Sequence, residues 1–112
     1  MRTAGARRFW RIEGYDSCVT VFQKTLPFGK LSEAQMVALL QRLAAKHLSD
    51  NEIVAASLRP NASGYAPLLD HRVASRATGA ARYMISIGTN PHYVASIWRG
   101  YELVGSKQIL DA

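Results

Sequence analysis

LSEAQMVALLQRLAAKHLSDNEI, running from Leu31 to Ile53, carries the same helix-start pattern twice. Ser32 is followed three residues later by Gln35, and Ser49 by Glu52. At this spacing the serine hydroxyl accepts from a backbone N–H in the first turn, and the Gln or Glu side chain accepts from the serine N–H. Two donors that no helical carbonyl reaches are satisfied reciprocally. Leu31 with Met36, and Leu48 with Ile53, add an apolar clasp across each helix start. Met36, Leu39, Leu40, Leu43 and His47 recur at helical spacing and form one apolar face, with Gln35, Arg42 and Lys46 off it. The pattern predicts a helix over 32–47 and a shorter one that ends before Pro60, since Arg59 precedes a proline and is biased away from helix. Two helices that meet at Leu48 and Ser49 must turn sharply, so they form a helix–turn–helix pair in the geometric sense.

Strand patterns flank this pair. Residues 8–26 read as a hairpin, with Phe9, Trp10 and Ile12 in one arm and Val19, Val21 and Phe22 in the other. β-Branched and aromatic side chains suit a pleated surface. Gly14-Tyr15-Asp16-Ser17 has the composition of the turn between the arms. Residues 82–99 read as a second hairpin, in which Tyr83, Ile85 and Ile87 alternate on one arm and Val94, Ser96 and Trp98 on the other, around Gly88-Thr89-Asn90-Pro91. Tyr101 to Val104 is expected to add a fifth strand. Between the helix pair and this hairpin, 59–66 has loop composition, and 67–78 reads as a third helix. Pro67 stands at its start, Gly79 just past its end, and Leu69, Val73 and Ala77 lie along one face. The order ββ-αα(α)-ββ predicts an α+β fold of two layers: an antiparallel sheet from two hairpins, with the helix–turn–helix pair packed on one face. Residues 1–7 read as a disordered basic tail, 8–104 as one α+β domain, and 105–112 as a C-terminal tail.

Composition bounds the function classes. The chain has 112 residues, ordinary for one domain, and its 48% apolar and 20% charged residues suffice for a core. No apolar run reaches the ~18 residues of a spanning helix, and the basic N-terminus lacks the apolar stretch of a secretory signal, so no membrane association is expected. The single cysteine, Cys18, rules out an internal disulfide and suits a cytoplasmic, reducing compartment; its place in the first hairpin reads as a buried, inert thiol. No His/Cys set has metal-ligand spacing and no glycine loop cradles phosphate, so no cofactor and no metal are expected. Fourteen Lys and Arg against eight Asp and Glu give a formal charge of +6, which favours an anionic partner, DNA or RNA first.

The helix–helix–hairpin order is similar to a winged helix–turn–helix arrangement, a likeness of element order and not of motif. It implies a recognition helix carrying His71, Arg72, Ser75 and Arg76, with Arg72 and Arg76 one turn apart on a shared face, and a wing carrying Arg82, Asn90 and Arg99. Arg72, Arg76, Arg82 and Arg99 are therefore the expected nucleic-acid contacts of a small basic binding or regulatory domain. Two alternatives stand beside this. One is a protein-interaction module or homodimer formed through the apolar hairpin edge 92–98. The other is a phosphodiester-cleaving enzyme that resembles toxin-type ribonucleases in broad organisation, with His71 or His92 as acid or base. A binding function is favoured over catalysis: His47 on the apolar helix face reads as structural, and Asp70-His71, as neighbours, point apart on either a helix or a strand.

Overall fold

A computed structural model describes residues 7–104 of the chain. The first hairpin comprises β1 (Arg8–Asp16) and β2 (Val19–Pro27). After a 3₁₀ turn at Phe28–Lys30 come α1 (Glu33–Ala45) and α2 (Asp50–Ser57). β3 (His71–Ala74), β4 (Met84–Gly88) and β5 (His92–Arg99) follow, and α3 (Gly100–Val104) ends the described chain. The expected tails, apart from Arg7, lie outside the described residues.

All five strands form one antiparallel sheet in the order β2-β1-β5-β4-β3. The last strand in sequence is thus central, with β1 on one side and β4 on the other. Its register sorts the side chains into two faces. One face holds Trp10, Ile12 and Gly14 of β1, Ala95 and Tyr93 of β5, and Ile85 and Ile87 of β4. Met36, Leu40 and Ala44 of α1 pack onto this face and complete the core, in which Trp10, Met36, Leu40, Ile87 and Ala95 are 0% exposed. Burial of this apolar area is the main source of stability. Both serine boxes form as the spacing requires: Ser32 Oγ accepts from Gln35 N at 3.1 Å and Ser49 Oγ from Glu52 N at 3.2 Å. The architecture is the expected α+β one, with α1 on one face of the sheet. α2 has no buried residue, and its carbonyl at Ala55 accepts from Ala66 N in the loop beyond it.

The structure corrects several expectations. Residues 67–78 do not form a helix. His71–Ala74 pairs with β4 as an edge strand, Arg76–Thr78 is a 3₁₀ turn, and Gly79 adopts φ +93. Val73 lies across from Ile85, so β4 gains a ladder partner that a helix here would have denied it. The fifth strand is therefore β3, and the segment expected to supply it, 101–104, is helical. Gly14 is not a turn residue: β1 runs on to Asp16, and the reversal falls at Ser17 and Cys18, with Ser17 at φ 56. Cys18 is consequently exposed, not buried. The apolar edge expected at 92–98 is absent, because β5 is hydrogen-bonded on both sides. No described helix is long and apolar enough to cross a membrane.

Candidate nucleic-acid interface

At the end of the sheet where β5 finishes, four arginines meet. Arg8 opens β1 and pairs with Arg99, which closes β5. Arg76 comes from the 3₁₀ turn after β3, and Arg82 from the segment leading into β4. Together with Trp98, Tyr101 and Glu102 they line a cavity of about 330 Å³. Four arginines and one glutamate line the hollow, so its charge is predominantly cationic.

Each wall has a local cause. Trp98 projects from the second face of the sheet. The Arg82 guanidinium stacks 3.8 Å from the centre of its ring and that of Arg11 4.6 Å from it. The quadrupole of an indole face attracts such cations. The Trp98 indole N–H donates to Ser96 Oγ at 2.8 Å, which fixes the ring. Arg82 also donates to the Ile97 carbonyl at 3.3 Å and pairs with Glu102 at 3.1 Å. Glu102 in turn accepts from Arg99 N at 2.7 Å, folding its carboxylate over the first turn of α3. The Arg82 hydrogen bond, and then the Arg99 backbone N–H, hold the Glu102 carboxyl below its ordinary range. Arg8 lies 4.2 Å above the Phe28 ring. Arg76 makes a long 3.4 Å contact to the Ala81 carbonyl. Tyr101 is 66% exposed at the rim. Rigid, partly stacked guanidinium forks and an exposed aromatic are the groups that bind phosphate and stack on a base.

Of the four arginines expected as contacts, Arg76, Arg82 and Arg99 converge here, although not as parts of a recognition helix and a wing. Arg72 and Arg76 do not share a helix face, because one lies in a strand and the other in a 3₁₀ turn. Arg72 sits elsewhere, on β3, where it donates to the Gly88 carbonyl at 2.7 Å. Sequence reasoning missed Arg8, Tyr101 and Glu102. Only the β1–β5 register brings Arg8 beside Arg99, and no local pattern announces that pairing.

The histidines do not converge. His71 pairs with Ile87, which pairs with Tyr93, so His71 belongs to the α1 face of the sheet, whereas His92 belongs to the opposite face. Each of the three histidines lines a different cavity. Arg99 is at the far end of β5 from His92, about 20 Å away at ~3.3 Å per residue. His92 and Arg99 therefore do not share one cleft. His47 lies past the end of α1. Its Nε2 lies 2.6 Å from the Tyr93 hydroxyl, so it ties the end of the helix to the sheet. Among the described residues no group of three or more His, Cys, Asp or Glu could hold a metal. Compared with known proteins, the chain matches no family model, no curated protein and no solved structure.

Proposed function

We propose that the chain binds nucleic acid through the pocket of Arg8, Arg76, Arg82 and Arg99. The observation that carries this reading is that four arginines, Trp98 and an exposed Tyr101 line one cavity at one end of the sheet. Neutralising a polyanion releases its condensed counterions, which favours such a pocket for a phosphate backbone. The exposed Tyr101 ring beside the cations suits a base. Arg76 and Arg99 line the pocket from the turn after β3 and from the end of β5, and they are the residues to vary. Fluorescence anisotropy with labelled DNA and RNA oligonucleotides across a salt series tests the reading. Binding should weaken steeply with salt. Arg76→Ala and Arg99→Ala should each lower affinity for all sequences and reduce the salt slope by about one. Arg42→Ala, on the exposed side of α1 and outside the pocket lining, should change neither. Absence of binding at low salt, or equal losses at Arg42 and Arg76, would remove the proposal.

A further inference from the structure

We infer, on the strength of the nucleic-acid reading, that the ligand is a single strand laid along the second face of β4 and β5, from the arginine pocket to Arg72 and His92. The strand register places Met84 and Ser96, then Ser86 and Val94, then His92 on this one face, and the Arg82 guanidinium stacks on Trp98 at its near end. Beyond Arg82 the face opens into a second hollow of about 660 Å³, floored by Ala74, Met84, Ser86 and Val94 and ended by Arg72 and His92. α1 packs on the other face, and α3 contacts β5 at the Arg99 end. Toward β1 the face closes, with Thr25 and Ser96 buried, so the open path is confined to the β3–β5 side.

The chemistry along this path matches an extended strand. The floor is uncharged and largely apolar, and base faces are apolar and flat. The Arg72 guanidinium spends one N–H on the Gly88 carbonyl, which orients it, and among the described residues has no further partner. An arginine carries five such donors, so the remainder suit a phosphate. His92 stacks on Tyr15 with ring centres 5.2 Å apart, forming an aromatic step at the end of the path. The acid nearest on this face, Glu13, is engaged by Arg11 at 3.4 Å and by the Tyr15 hydroxyl at 2.6 Å, so it does not stand alone against a phosphate. The two cationic ends are about 20 Å apart. A duplex presents its bases only at groove edges, read by an inserted helix or β-ribbon. Neither projects from this face among the described residues.

Labelled DNA and RNA single strands of three and nine nucleotides, and the nine-base-pair duplexes, separate the outcomes. The nine-nucleotide strand should bind at least tenfold more tightly than its duplex at matched salt. The double variant Arg72→Gln, His92→Ala should lower nine-nucleotide affinity about tenfold and leave the trinucleotide unaffected. Equal affinity for duplex and single strand, or no effect of the double variant where Arg76→Ala still weakens binding, would overturn this inference and leave the arginine pocket standing. Absence of binding by every oligonucleotide would overturn both. If DNA and RNA differ, the tighter of the two identifies the source of the strand.

Discussion

Gly14 has no side chain because the Tyr93 ring occupies the place where one would be. A Cβ there would lie 2.5 Å from Tyr93 Cε2 and 3.2 Å from Phe22 Cβ. Tyr93 is 2% exposed, and its hydroxyl is held by His47, so the ring has little freedom to retreat. Gly14→Ala should therefore destabilise the fold by about 1–3 kcal/mol through overpacking, read as a lower urea midpoint. An unchanged midpoint would show that the ring can yield. Glu102 gives a second prediction. Its folded-state pKa is lowered, so its stabilising contribution is present above the unfolded value, ordinarily 4.5, and is lost as pH falls through the folded value. The stability difference between the parent chain and Glu102→Gln should be constant near neutrality and close on acidification below 4.5. A gap independent of pH would contradict the assignment. At this scale the sequence was partly legible. Residue types suggested roles, but Gly14 reads as a turn glycine until the cross-strand neighbour is known. Cys18 likewise reads as a strand residue until the turn is placed.

At the scale of elements, legibility tracked how local the cause was. Both helix starts depend on residues three apart, and both serine boxes form where the spacing puts them. α2 depends on its box more than α1 does, because α1 is anchored by Met36, Leu40 and Ala44 while α2 buries nothing fully. Ser49→Ala should cost about 1 kcal/mol and speed amide exchange across Asp50–Ser57. Unaltered exchange there would mean that the loop beyond α2, not the cap, holds it. The segment 67–78 departs from its helical pattern for the opposite reason. Its helical spacing is genuine, but the pairing of Val73 with Ile85 is a non-local alternative that no local pattern reveals. The same pairing dissolves the winged helix–turn–helix likeness, since the candidate recognition helix is a strand.

The whole molecule is decided by how the hairpins join. Its strand types were legible in the sequence, but the central place of β5 was not, and the site follows from that place. Docking β1 against β5 brings Arg8 to Arg99. The return of the chain through β3 and the turn after it brings Arg76 to Arg82. The charge excess pointed to an anionic partner, but whether the cations would cluster depended on this assembly. The two tryptophans allow the central claim to be read directly. Trp98 borders the arginine pocket, and its indole N–H donates to Ser96 Oγ at 2.8 Å. Trp10 lies in the core at 0% exposure, and its indole N–H donates to the Leu31 carbonyl at 3.1 Å. A titration of ¹⁵N-labelled protein with a short oligonucleotide at low salt, followed through the two indole N–H resonances, should move the Trp98 signal saturably and leave the Trp10 signal in place. A static Trp98 signal, or equal movement of both, would contradict binding at the arginine pocket.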